Sequence, residues 1–170
     1  GLGYVYKRLD LIVHECEGFR HIESCLPQIL LCLSAEALGI MEVLNKLTVE
    51  YSKTRKQFGA PIGSFQALQH RMVDNFMAFE QSKSMVYRGI CESTSFNKND
   101  IDINQFLKTA HAVKALIAKN SKQIGDESIQ IHGGIGMTDE LNIGHFVKRL
   151  MMINVLFGDG DFHRQCFSQN

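Results

Sequence analysis

A chain of 170 residues, 45% apolar and 21% charged, is long enough to bury one real core and short for two. Eighteen Lys and Arg balance eighteen Asp and Glu, so no global field points to nucleic acid or to an anionic membrane. Two prolines, no tryptophan and long stretches without helix breakers favour helix over sheet.

The first 21 residues stand apart. Residues 9–14, LDLIVH, alternate like a lone strand with no sheet to join, so 1–21 reads as a non-helical remnant of a preceding β-domain or a linker. From Ile22 the period becomes helical, with Leu26, Ile29, Leu30, Leu33, Ala37, Ile40, Met41, Leu44 and Leu47 on one stripe. Pro27 falls inside that stripe and reads as the first turn of the helix proper, where a missing N–H costs nothing. The helix is predicted to end near Lys56, before Gly59 and Pro61.

A second helix is predicted over 64–93, with Phe65, Leu68, Met72, Phe76, Phe79 and Met85 inward. The polar stretch 93–102 is a loop, and Asp100 or Asp102 can cap a third helix over 103–131. That helix buries Phe106, Ala110, Val113, Leu116, Ile117 and Ile124, and stops at Gly133-Gly134 because glycine accepts the left-handed conformation of a helix end. Shorter helices follow over 140–154 and from Asp159 onward. The predicted fold is therefore all-α: an antiparallel four-helix-type bundle over 22–170 behind the short N-terminal remnant.

Five cysteines (16, 25, 32, 91 and 166) form no C-x-x-C pair and read as buried thiols. With no secretory signal at the start, they suggest a reducing, cytoplasmic setting. The longest apolar run, 29–33, is too short to span a bilayer. His14, His21, His70, His111 and His145 show no metal-ligand spacing and read as structural or exposed. His70-Arg71 and Lys148-Arg149 read as solvated faces.

Two stretches are more specific than a bundle pattern: YSKTRKQFGAPIGSFQALQ at 51–69 and IQIHGGIGMTDE at 129–140. Together they resemble the acyl-CoA dehydrogenase family, which carries an Arg-x-x-Phe-Gly-x-Pro-Ile…Phe-Gln segment and a Gln-x-x-Gly-Gly-x-Gly segment at this separation. The likeness runs over about 26–164. It implies the family's carboxyl-terminal helical domain, α,β-dehydrogenation of an acyl-CoA thioester, FAD, and an electron-transfer acceptor. It also implies a homo- or hetero-oligomeric dimer or tetramer, because in the family this domain completes a flavin held mainly by the neighbouring subunit.

The residue types suit that cofactor. Arg55 can grip phosphate oxygens in a planar fork, Phe58 can pack on an adenine face, and Gln57, Gln66 and Gln130 can offer amide donors. Gly133 and Gly134 let backbone N–H groups approach where a side chain would collide. Asp159 and Asp161, at the start of the last helix, complete the candidate cofactor set. Taken singly, Arg55 is a surface arginine, Phe58 a core residue and Gly133-Gly134 a helix stop; their conjunction favours a site.

Where the family places its catalytic glutamate, this chain departs from it. Stepping without gaps from Gly136, the family's Glu-Gly-Thr turn falls on Phe157-Gly158-Asp159, and Arg164 meets a later family arginine. The alternative glutamate position, on the first long helix, is Ile29, and the acid and arginine that meet the CoA ester there become Pro27 and Leu30. Phe157, Ile29, Pro27 and Leu30 cannot move a proton. The resemblance thus implies a subunit that keeps flavin-completing and pairing surfaces but has no base of its own, with any acyl-CoA bound by a partner subunit. In style it is similar to the small subunits of two-subunit pimeloyl-CoA dehydrogenase-type enzymes. Asp159, Asp161 or Glu36 as an unconventional base, and a purely structural bundle, are the alternatives.

Overall fold

The computed structural model describes residues 18–98, 100–138 and 140–169. The strand expected at 9–14 and Cys16 lie outside the described residues. Helix α1 is Gly18–Thr54, α2 Gln66–Asn97, α3 Ile103–His132, α4 Ile143–Val155 and α5 Gly160–Gln169. Between α1 and α2 sits a two-residue antiparallel ladder, β1 Lys56–Gln57 paired with β2 Ala60–Pro61, followed by a 3₁₀ turn at Ile62–Ser64. A second 3₁₀ turn, Gly133–Met137, follows α3.

The long helices arise where the sequence places them. Asp102 caps α3 by accepting the Gln105 N–H at 2.8 Å, one of the four N–H groups a helix start leaves unpaired. Gly133 ends α3 at φ 66°, a value that costs a residue with a Cβ. Helix α1, however, begins at Gly18, so the last four residues assigned to the N-terminal remnant are helical. Pro27 is therefore inside the helix and not in its first turn. The hydrogen bond it cannot give would go to residue 23, which is exposed, where water can replace it.

Helix α3 is the axis of the bundle and contacts each of the other four helices among the described residues. Its stripe of Phe106, Val113, Ile117 and Ile124 meets Met41 and Leu44 of α1, Phe79 and Val86 of α2, and Val147, Leu150 and Ile153 of α4 in one core. Each such side chain, taken fully out of water, contributes about 1.5–3 kcal/mol. Asn120 of α3 ties the seam by donating to the Ala78 carbonyl and the Ser82 hydroxyl, both at 3.0 Å.

Several inward assignments fail on phase. Phe76 is 58% exposed and Ile22 65% exposed, while Phe65 and Leu47 also face outward. The face that α2 buries is mostly small, with Asn75, Ala78, Ser82 and Gly89 set alongside Phe79 and Val86. A Cβ at Gly89 would collide with the Leu31 side chain, so the approach of α1 to α2 selects a small residue there, while Phe79 stays inward and Phe76 turns out. The cysteines also depart from expectation. Cys25, Cys32 and Cys91 are exposed and Cys166 is half-buried, because they fall on the outer faces of α1, α2 and α5. By length and composition α1 could cross a membrane, which counting contiguous apolar residues misses; its apolar stripe packs against α2 and α3.

Candidate cofactor-facing site

The two motifs, 81 residues apart at Tyr51 and His132, meet at one end of the bundle. Tyr51, in the last turn of α1, stacks on His132, the last residue of α3, with ring centroids 4.4 Å apart. Its hydroxyl donates to the His132 carbonyl at 3.3 Å. The Arg71–Glu127 ion pair braces α2 against α3 just behind them. The hairpin is pinned in turn by Ile62 N–H to the Arg55 carbonyl at 2.8 Å and by the Gln69 amide to the Gly63 carbonyl at 2.9 Å. Gly63 is required here, since a Cβ would sit 2.9 Å from the Ser52 hydroxyl.

The hairpin turns on Phe58 and Gly59, both with positive φ (53° and 81°), as a two-residue type I′ turn demands. Glycine adopts this readily; phenylalanine pays a steric penalty for it. Phe58 is nevertheless 93% exposed, with its ring edge-on to Phe65 at 6.3 Å between centroids. Arg55, Gln57 and Gln66 share this exposed edge, and Arg55 has no ion pair among the described residues. Across from them Gln130, Gly133 and Gly134 are exposed, with open space where a Cβ on either glycine would stand. Seven of the nine sequence-assigned cofactor residues therefore lie at this end.

Asp159 and Asp161 do not join them. Gly160 packs against Ala118 of α3, about 20 Å along that helix from His132 at 1.5 Å per residue. Asp159 caps α5, accepting the Phe162 N–H at 2.8 Å, and Asp161 pairs with Arg164 at 2.7 Å. Both line a cavity of about 630 Å³ with Lys119, Lys122, Asn154 and Arg164.

Phe157, at the turn before α5, is a second non-glycine residue in the left-handed region, at φ 59° and 52% exposed. Pro27 and Leu30 are buried and Ile29 half-buried. Glu36 forms a two-pronged pair with Arg149 at 2.6 and 2.8 Å. The Arg149 hydrogen bond, more than its charge, holds the Glu36 carboxyl below its usual range, against a smaller burial effect. His70, Lys148 and Arg149 are exposed and Arg71 half-buried, in line with solvated faces, and on them Arg71 and Arg149 are each paired with a glutamate.

Beneath the Phe157 turn lies a cluster the sequence reading passed over. Lys114 is fully buried and donates to the Ile153 carbonyl at 2.6 Å, with the Asn154 and Gly158 carbonyls at 3.4 and 3.5 Å. Burial pushes its ammonium down to about 8, against a weaker upward pull from Asp159. His111 and His163 face each other, Nδ1 to Nδ1 at 2.7 Å, both buried. The available signal was the placement of His111 and Lys114 among Ala110, Val113 and Ile117 on the apolar stripe of α3.

Comparison with known proteins extends this picture. Residues 17–170 match the family described as acyl-CoA dehydrogenase, C-terminal domain. Over 119 residues the chain is 40% identical to acyl-CoA dehydrogenase IpdE2 of Mycolicibacterium smegmatis, covering 70% of this chain and 34% of that protein. It is 30% identical over 138 residues to the L-prolyl-[peptidyl-carrier protein] dehydrogenase of a Serratia species, covering 81% and 34%. The structure of PigA with FAD and proline superposes with a TM-score of 0.74 at 28% identity, over 84% of this chain and 36% of that one. Butyryl-CoA dehydrogenase of Megasphaera elsdenii shares the fold, with a TM-score of 0.81 at 24% identity over 92% and 39%. The chain thus spans about a third of the length of the curated relatives it matches.

Proposed function

The chain belongs to the acyl-CoA dehydrogenase family as its C-terminal helical domain, and from that membership we propose that it completes an FAD site held mainly by another segment or subunit. In this reading it supplies no base of its own. FAD, when bound, supplies the acceptor for the hydride removed from the β-carbon of an acyl thioester. The observation that carries the reading is Phe58, held in a strained conformation and almost wholly exposed. A strained aromatic displayed to solvent has no folding rationale among the described residues, and it suits a flat ring arriving from outside.

The other residues fit the same group. Arg55 offers the pyrophosphate its five-donor fork. Gln57, Gln66 and Gln130 present amides to phosphate or hydroxyl oxygens, and the open space over Gly133 and Gly134 admits the cofactor to the backbone. Asp159 and Asp161 fit less well, because one carboxylate already caps α5 and the other already holds Arg164.

Abstraction of the thioester α-proton falls to a partner. Phe157 has no titratable group, Ile29 none, and Glu36 is tied to Arg149 and weakened as a base. The exposed apolar residues Met151, Met152 and Val155 of α4, with Phe157 in the turn that follows, are the surface offered to the acyl–flavin region of the assembled enzyme. Reducing equivalents then pass to an electron-transfer acceptor.

Purification of the enzyme with its native partner subunits tests this directly. FAD should be present, and acyl-CoA thioesters should bleach it only when the partner is there. Arg55→Ala should weaken flavin retention at least tenfold while the partner keeps its thioester affinity. Bleaching of this subunit alone that vanishes in Asp159→Asn would replace the proposal with a dehydrogenase using Asp159 as base. Absence of flavin in every assembly would leave a structural bundle.

A further inference from the structure

Helix α5 is held to α3 by an unusual contact. His111 of α3 and His163 of α5 stand 2.7 Å apart through their Nδ1 atoms, with His163 fully shielded from solvent and His111 nearly so. A bond between two Nδ1 atoms works only if one ring carries the proton and the other offers its lone pair. The Nε2 atom of His163 makes no hydrogen bond of good geometry and is sealed from water. One turn along α3 from His111, the buried Lys114 ammonium binds the carbonyls that lead into α5.

We propose that the His111–His163 pair is an acid-released latch, holding α5 and the turn at 156–159 on α3 and letting go as the rings take up protons. The charged groups facing the pair have mostly one sign. Lys114 stands beside it on α3, and farther along the same seam Lys108 of α3 lies over the Phe167 ring of α5. The α4–α5 turn contributes carbonyls, and Asp159, the acid that acts on Lys114, is exposed and occupied as the α5 cap. The first added proton places a second buried cation beside Lys114. A second proton removes the acceptor lone pair and sets two N–H groups against each other, so the bond itself is lost. Water then hydrates both imidazoliums only if α5 lifts from α3.

The direction of titration agrees with the geometry. Burial, then the charges of His111 and Lys114, push His163 down to about 4, against a smaller upward pull from the backbone at Phe157 and Gly158. Burial also lowers His111. Lifting α5 would open the 630 Å³ cavity that Asp159 and Arg164 line and would release the strained Phe157 turn from its Lys114 anchor. The latch does not depend on flavin or on any catalytic reading.

Hydrogen exchange of the full chain tests it, with amide protection corrected for the pH dependence of intrinsic exchange. For His163 alone, lowering the pH to about 5 should reduce protection over Gly160–Gln169 about 30-fold relative to the α1–α3 core. His163→Gln should reduce the pH dependence to the smaller part that His111 supplies, and Lys114→Met should move it to lower pH. The proposal is overturned if α5 and core protection fall in parallel, or if His163→Gln keeps the same acid response. Should that variant release α5 already at neutral pH, imidazole titration by NMR in the unaltered chain decides: a midpoint near 6.5 for His163 would overturn the latch, and one well below would support it.

Discussion

Lys114 makes a prediction at the opposite end of the pH scale. Its ammonium is fully buried and its folded-state value stands at about 8, against 10.5 for the free side chain, because burial outweighs the pull of Asp159. Near neutral pH both states carry the proton, and the folded chain bears the desolvation cost. As pH rises through about 8 the folded chain releases the proton while the unfolded chain keeps it to 10.5, so the unfolded state binds more protons. Stability from this group is therefore fully present above 10.5 and is lost as pH falls through about 8. A gap of this size corresponds to about 3 kcal/mol at most.

Urea unfolding followed by far-UV circular dichroism at a series of pH values between neutral and about 10.5 measures the slope. The informative quantity is the difference between the unaltered chain and Lys114→Met, since other titrating groups cancel. The variant should lose the rise of up to about 3 kcal/mol, whatever its stability at neutral pH. That neutral-pH value combines relief of a buried charge with loss of donors to the Ile153 and Gly158 carbonyls, two effects of opposite sign. Parallel stability curves for the two proteins would refute the assignment of a strained, buried ammonium to Lys114.

Other consequences are simpler to read. Asp102→Ala removes the α3 cap and should cost about 1 kcal/mol, seen as a lower urea midpoint with unchanged slope. Gly89→Val drives branched carbons into Leu31 and Val113 and should destabilise by about 1–3 kcal/mol, measured by thermal unfolding. Phe58→Gly relieves the left-handed strain and should stabilise the isolated chain by about 1 kcal/mol, because Phe58 loses almost no packing. In the assembled enzyme the same change should weaken flavin retention, so a gain in both measurements would argue against the role given to Phe58.

The legible part of the site was the part made of contiguous residues. Arg55 to Gln66 and Gln130 to Gly134 follow one another along the chain, and their chemistry could be named before any fold was known. That the two groups share one end of the bundle depends on the Tyr51–His132 contact across 81 residues. Asp159 and Asp161 illustrate the limit: chemically plausible on paper, they stand about 20 Å away along α3 and are occupied locally.

By itself the sequence determined the five helices of the described residues and most of their ends, because helix period and end signals such as Asp102 and Gly133 act within a few residues. Periodicity also placed the core stripe of α3. Tertiary structure decided which face of α2 turns inward, since the seam with α1 and α3 admits Ala78, Ser82 and Gly89 and excludes Phe76. It likewise decided that Glu36 answers to Arg149, 113 residues away, and that His111, Lys114 and His163 share one dry space. Ionisation and packing phase depend on neighbours that the chain brings together only by folding, so no local pattern could have assigned them.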